Sequence, residues 1–294
     1  MMREPALPAV DLRYEAVPLC DVCQTTSAGH PVVLRKDGTP VVRCTQCGLL
    51  YANPRWKAEH LFSSYTPDYW AEYPPDREPT DPALAHWHWR LDQLEPVRGA
   101  GRLLDIGAAT GEFLDVAHAR GWDVYGVEPS SLAAQRATRK HPGRIHNGTL
   151  ESVPWQAGWF DVVTLWDVIE HLPNPRAYLQ QISGLLRPGG MLALTTPNIR
   201  SLSYKLLGAK WTVVGPNTHI YYFAPRTLER LLHATGFAVH SQQTFGTSGE
   251  TWQQWLPYRP LATAKSLFAR ISRSWSHRLL LGDELLVLAR RQTD

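Results

Sequence analysis

Charge is scarce in this chain of 294 residues: Asp, Glu, Lys and Arg make up 19% of it, and the formal net charge is only +3. So small a surplus gives no electrostatic argument for a nucleic-acid partner. Long apolar runs are missing as well. None approaches the ~18 residues of a membrane span, and the opening MMREPALPAVDLRYEAVPLC has no secretory-signal core. A cytoplasmic protein that spans no membrane is expected. The absence of internal repeats and of long low-complexity tracts excludes repeat architectures.

Cysteine is sparse too, and confined. The four cysteines form two pairs, Cys20-x-x-Cys23 and Cys44-x-x-Cys47, with twenty residues between them. Two such knuckles can close a tetrahedral thiolate site around zinc, and the spacing fits a zinc ribbon. Gly48 permits the sharp turn after Cys47. Two disulfides would suit a secreted chain, which nothing marks this one to be. A redox pair would open a helix after a strand, and neither pair does. Four protein ligands leave no open position, so the expected role is structural. The ribbon carries few basic residues (Arg35, Lys36, Arg43, Arg55, Lys57), which favours folding over RNA contact.

What the chain does have is ordinary hydrophobic content, 44%, and many aromatics, with twelve Trp and eleven Tyr. Each aromatic can serve as core packing, and some could line a pocket for a flat or sugar-like molecule. The most informative stretch is LLDIGAATGEF (103–113). Its short apolar run, bounded by Gly101 and Gly107, predicts a buried parallel strand. Gly107 and Gly111 then allow a tight turn and close approach of a ligand. A helix from Glu112 follows, and its free N–H groups favour a carboxylate or phosphate.

Further strands are predicted at Val124–Val127, ending in Glu128, then within 145–154, at Asp161–Leu165 and after the Pro-Gly-Gly turn at 188–190. Two more follow, in LERLLHATGFAVHSQQTF and DELLVLARR. An acid ending the second strand, 17 residues beyond Gly111, can take both hydroxyls of a ribose. Alternating helices and strands predict an α/β doubly wound sheet, with ligands outside the carboxyl ends of the strands. A helix with apolar Leu84, Trp87, Leu91 and Leu94 precedes the first strand and could cover the site. The segment 63–82 reads as a loop. The stretch 264–282 reads as a packed surface helix, with Lys265, Arg270, Arg273 and Arg278 on one face and Leu267, Phe268 and Ile271 on another.

In order, the motifs LLDIGAATGEF, VYGVEPS, GTLESVP, FDVVTLWDVIEHL and LLRPGGMLALTTPN resemble those of class I S-adenosylmethionine-dependent methyltransferases. The ribbon extends the likeness, toward small-molecule methyltransferases that carry one. A dinucleotide dehydrogenase would place a third glycine three residues after the second, and Gly107-Ala-Ala-Thr-Gly111 does not. The resemblance implies a Rossmann-like seven-stranded sheet with a small N-terminal zinc ribbon. The expected division is a ribbon over 1–58, a linker and covering helix over 59–98, and a cofactor-binding domain over 99–294 with a substrate cap around 199–225. It also implies roles. Asp105 and the loop with Gly107, Ala108 and Gly111 would hold the methionine end of S-adenosylmethionine. Glu128 would bind its ribose, and Thr149, Leu150 and Glu151 would lie beside the adenine. Phe113, Pro129, Trp166 and Asp167 complete the expected cofactor contacts.

Methyl transfer from a sulfonium is an in-line displacement that needs a positioned nucleophile and usually loss of a proton. The Asn/Asp-Pro-Pro-aromatic signature of amino methyltransferases is missing after the fourth strand, where Trp166-Asp167-Val168-Ile169-Glu170-His171 stands. This weighs against base methylation of DNA or RNA. GPNTHIYYFAPRTLERLL (215–232) resembles the cap of quinone-biosynthesis O-methyltransferases, with Thr218-His219, Phe223 and Pro225 in like positions. The expected reaction is therefore O-methylation of a small hydroxylated metabolite, a sugar or an aromatic. Deoxysugar C-methylation, RNA methylation and a cofactor-binding regulator without activity are the alternatives. His171 and His219 are the candidate catalytic residues, as general bases. Asp167, Glu170, His171 and His219, set on a helix after the fourth strand and in the cap, could instead hold a divalent metal. That spacing resembles the Glu-x-x-Glu-His sites of some quinone and small-RNA 3′-end methyltransferases, with Asp167 in place of the first Glu. Glu170 and His171 could also serve only to orient the loop.

Overall fold

The structure is a computed structural model and describes residues 12–61, 81–153, 155–246 and 280–293. The expected loop at 63–82 and surface helix at 264–282 fall almost wholly outside these. Among the described residues no helix is long and apolar enough to cross a membrane.

Five short strands come first: β1 (Tyr14–Glu15), β2 (Val32–Lys36), β3 (Thr39–Arg43), β4 (Leu50–Ala52) and β5 (Arg55–Trp56). Strands β2 to β4 form an antiparallel meander, and β1 pairs with β5. Asp37-Gly38, with φ of 51° and 80°, makes the two-residue hairpin turn between β2 and β3.

The main sheet holds β6 (Arg102–Ile106), β7 (Asp123–Glu128), β8 (Ile145–Asn147), β9 (Phe160–Trp166) and β10 (Leu186–Pro197). After the two-residue β11 (Tyr221–Tyr222), it is completed by β12 (Phe237–Phe245) and β13 (Glu284–Arg291). The order is β12-β13-β10-β9-β6-β7-β8; β13 runs antiparallel to both β12 and β10, and the other pairs are parallel. This is the expected Rossmann-like seven-stranded sheet. Strands with both faces covered must be apolar throughout, and all seven residues of β9 are buried. The flanking helices turn apolar stripes inward: Leu114 and Ala117, Ala133 and Ala137, Leu179 and Ile182, Leu228 and Leu231. Asn174 caps one of them, its side chain accepting from Ala177 N, with Pro175 at the first position.

From β6 the chain winds outward through β7 and β8, then crosses to β9 on the other side of β6. That reversal opens a crevice at the strands' carboxyl ends. Helix Asp81–Asp92 packs beside it, placing Leu84, Trp87 and Leu91 against Phe113 and Leu114. The cap and ribbon are not separate bodies. Strand β11 pairs antiparallel with β4, matching Tyr221 to Tyr51 and Tyr222 to Leu50. Val41 and Leu50 also share a small core with Trp211, Val214 and Tyr222.

Candidate active site

A cavity of about 490 Å³ lies at the ends of β6, β7 and β9. Its apolar wall includes Ile106, Val127, Leu150, Val168 and Leu172, and its polar groups include Glu128, Asp167, His171 and His219. Glu128 ends β7. Its Oε2 accepts from Ala109 N at 2.9 Å and its Oε1 from Ser130 N at 2.8 Å. Burial pushes its carboxyl up, while these two N–H groups hold it down. Each oxygen keeps a further lone pair for a ligand hydroxyl.

The loop after β6 folds back on β7, with Gly107 N and Ala108 N both donating to Val127 O. Gly107 has φ 78°, and a Cβ there would stand 2.6 Å from Val168 Cγ2. The backbone must stay bare, and a cofactor can approach it closely. Bare backbone, a buried ribose-type acid and an adjoining apolar wall fit the chemistry of S-adenosylmethionine.

The lining brings together Gly107, Glu128, Pro129, Thr149, Leu150, Trp166, Asp167, His171 and His219. Other expected cofactor residues stand behind it. Asp105 is buried, with Oδ1 accepting from Thr164 Oγ1 at 2.6 Å. Burial raises its carboxyl to about 7, although the Thr164 hydrogen bond and the Arg90 charge pull it down. Ala108 is buried, and Gly111 caps the helix that follows. Phe113 wedges between Trp87 and Trp166, with centroids at 5.5 and 5.2 Å. Glu151 accepts from the hydroxyl of Tyr178, whose own side chain lines the cavity.

Beyond β9 the chain turns sharply. Asp167 takes the left-handed φ of 56°, and its N donates to Thr195 O. Its Oδ1 accepts from Thr195 Oγ1 at 2.9 Å, and its Oδ2 lies 3.4 Å from Arg90. The helix expected here is a single 3-10 turn, Ile169–His171, because left-handed Asp167 precedes it and Pro173 follows closely.

That turn sends Glu170 inward. Its Oε2 accepts from Thr196 Oγ1 at 3.0 Å, and its buried Oε1 has no hydrogen-bond partner among the described residues. Burial, with the nearby Asp167 charge, pushes its carboxyl well above the usual range. His171 Nδ1 donates to Thr218 O at 2.9 Å, and His219 Nδ1 to Val213 O at 2.7 Å. Both rings therefore carry their acceptor lone pair on Nε2. Burial lowers both imidazoles, His171 to about 4. Ligand atoms of Glu170, His171 and His219 lie within 4.8 Å of one another. Asp167 does not join them, contrary to the expected grouping of four: Thr195 and Arg90 hold its carboxylate elsewhere.

Sequence reasoning missed Arg90. It is 2% exposed, and its guanidinium lies between Trp87 and Trp166, 4.9 and 4.7 Å from their centroids. It also reaches Glu284 at 2.7 Å. A basic residue three places after Trp87 on a covering helix was the available signal.

The four cysteines converge. Cys20 and Cys47 sulfurs are 3.5 Å apart, as are those of Cys23 and Cys44. All four are free thiols within 4.8 Å of one another. Zinc with sulfur at ~2.3 Å needs edges of about 3.8 Å, so the cluster is compatible with zinc after a small outward adjustment. The neighbouring Cys47 sulfur and burial push the Cys20 thiol up, against the Cys23 and Val22 N–H groups that pull it down. At Cys44 burial is outweighed by the N–H groups of Cys47 and Gln46, with the Thr25 hydroxyl, which lower the thiol to about 6.

Comparison with known proteins agrees with this geometry. Residues 76–242 match the family described as methyltransferase domain. Among curated relatives, the ubiquinone biosynthesis O-methyltransferase of Psychrobacter arcticus is 30% identical over 150 residues, 46% of this chain and 58% of that one. Its namesake in Cereibacter sphaeroides is 28% identical over 194 residues, 62% and 78% of the two chains. This chain thus covers less than two thirds of the first enzyme. Solved structures share the fold. A possible histamine N-methyltransferase from Thermotoga maritima superposes with TM-score 0.51 at 19% identity, covering 79% of this chain and 99% of that one. A methyltransferase from Archaeoglobus fulgidus gives 0.51 at 22%, covering 71% and 94%. On the family match and the fold together, the chain belongs to the class I S-adenosylmethionine-dependent methyltransferases, with a four-cysteine unit ahead of the family domain.

Proposed function

We propose that the protein methylates a hydroxyl oxygen of a small molecule, a sugar or an aromatic. The observation that carries this is one cavity holding both Glu128 and the imidazole pair His171–His219. When bound, S-adenosylmethionine supplies an electrophilic methyl group on its sulfonium. Glu128 would accept the ribose hydroxyls, and the bare Gly107 loop would admit the methionine portion. Asp105, two residues before Gly107, would brace that loop. Thr149 and Leu150 would flank the adenine. His219 Nε2 would take the proton of the acceptor hydroxyl as its oxygen attacks, with His171 fixing the neighbouring wall. Positioning of the oxygen in line with the breaking bond would supply much of the rate. Relatives named for O-methylation support oxygen as the acceptor atom.

A second reading is favoured by Glu170 Oε1, a buried carboxylate oxygen without a hydrogen-bond partner among the described residues. Glu170, His171 and His219 would hold a divalent cation that lowers the pKa of the acceptor hydroxyl. In either reading Cys20, Cys23, Cys44 and Cys47 would bind one structural zinc. Purified protein, offered hydroxylated sugars and phenols with radiolabelled cofactor, should yield methyl ethers. Labelling of RNA alone, or of a carbon atom, would overturn the proposal.

A further inference from the structure

The four-cysteine unit is linked to one side of the cavity by a continuous series of contacts. Cys44 N donates to Leu49 O at 2.8 Å, tying the second knuckle to β4. Strand β4 pairs with β11, and just before β11 Ile220 N donates to Glu170 O at 3.0 Å. Thr218 O, two residues earlier, accepts from His171 Nδ1. The first knuckle joins the same path. Asp21, between Cys20 and Cys23, accepts from the hydroxyl of Tyr221, and Arg55 donates to that hydroxyl at 2.8 Å. The Tyr221 ring is stacked between Tyr51 and Phe223, with centroids at 6.2 and 5.9 Å. Arg176 donates to Asp21 O and Val22 O at 2.8 and 2.6 Å, fixing the knuckle to the main domain.

The other side of the cavity is held differently. Gly107 is bound to Val127 O, and Glu128 to Ala109 N and Ser130 N, all within the loops of β6 and β7. We propose that the four-cysteine unit positions the acceptor-side wall of the cavity, with Tyr221 as the positioning residue that connects the first knuckle to His219 and His171. The role of that wall rests on the functional reading above; the coupling itself does not.

The test uses the full chain with its bound metal and the variant Tyr221→Phe, which keeps the stacked ring and removes the hydroxyl. Hydrogen exchange should quicken at least tenfold across residues 213–223. The 15N signals of His171 and His219 should lose their single Nδ1–H tautomer, while the Kd for S-adenosylmethionine stays within twofold. Wild-type protein stripped by a chelator should show the same pattern with added exchange across 12–56, and it serves if Tyr221→Phe does not fold. Unchanged exchange at 213–223 with intact tautomers would overturn the coupling. So would cofactor affinity falling as steeply as protection does. A wild type that binds no S-adenosylmethionine would instead count against the functional reading.

Discussion

Asp105 and Thr164 stand opposite each other on β6 and β9, joined by a 2.6 Å hydrogen bond from the threonine hydroxyl to Asp105 Oδ1. Burial lifts the Asp105 carboxyl to about 7 despite that bond, whereas an unfolded Asp titrates at about 3.9. Between these values the folded chain keeps a proton that the unfolded chain has released. Its contribution to stability is therefore present near pH 4 and lost as pH rises through about 7, to a total on the order of 4 kcal/mol. Asp105→Asn keeps an acceptor for Thr164 and cannot ionise. In urea unfolding the variant should gain on wild type by roughly 2–4 kcal/mol between pH 4 and pH 8. Parallel stability curves would contradict this account.

Glu128 sets a sharper test of the cofactor site. Both of its oxygens are already steered by backbone N–H groups, so the carboxylate is presented to the cavity in one orientation. A charged hydrogen bond lost to Glu128→Ala costs roughly 1.5–3 kcal/mol, and two ribose hydroxyls make that at least a hundredfold in Kd. Calorimetry with S-adenosylmethionine measures it directly, and unchanged affinity would remove Glu128 from the site.

Gly107→Ala probes the close approach in the loop. The new methyl meets Val168 Cγ2 at 2.6 Å on a backbone with φ 78°. Packing and backbone strain together should cost about 2–4 kcal/mol and weaken cofactor binding. Adding Val168→Ala should recover the packing share and leave the backbone share. A single variant as stable as wild type would mean the loop relaxes freely.

What the sequence reveals depends on how far apart the cooperating residues lie. The β6 strand, its glycine loop and the helix at Glu112 fall within eleven residues, and the apolar run and breaks are enough to locate them. The cysteine cluster is legible from spacing because its chemistry admits few arrangements. Strand β11 is not legible: two tyrosines carry no period, and their partners on β4 lie 170 and 172 residues earlier. Asp167 reads as a helix start, yet its left-handed backbone and Thr195 turn it away from Glu170. Arg90 is not legible because its burial depends on two tryptophans, one of them far along the chain.

The thiol cluster predicts metal content. Protein purified without added zinc should carry one equivalent per chain, and removing it should open residues 12–56 while the main domain still binds cofactor. Less than half an equivalent, accompanied by intact disulfides, would refute the ribbon.

The roles of Glu170, His171 and His219 separate cleanly once an acceptor is in hand. With their Nδ1 atoms committed to Thr218 O and Val213 O, both imidazoles present Nε2 as the basic nitrogen. Acting as a base, His219 should be needed whether or not Mg²⁺ or Mn²⁺ is present: His219→Ala should lose at least a hundredfold in kcat, in the range general-base removal usually costs, and adding Mg²⁺ or Mn²⁺ to the zinc-loaded wild type should leave its turnover unchanged. Acting as ligands, the three residues should fail together. With the cysteine-bound zinc kept in place, turnover should depend on added Mg²⁺ or Mn²⁺, and Glu170→Gln should raise the metal concentration needed for half-maximal rate. The buried Glu170 carboxyl makes the second pattern testable without an acceptor, because a bound cation should stabilise the fold in proportion to the logarithm of its concentration. Thermal unfolding in rising Mn²⁺ should then shift upward for wild type and stay flat for Glu170→Gln. Near-normal turnover in both histidine variants, with no metal-dependent shift, would leave Glu170 and His171 only the task of holding the turn that follows β9.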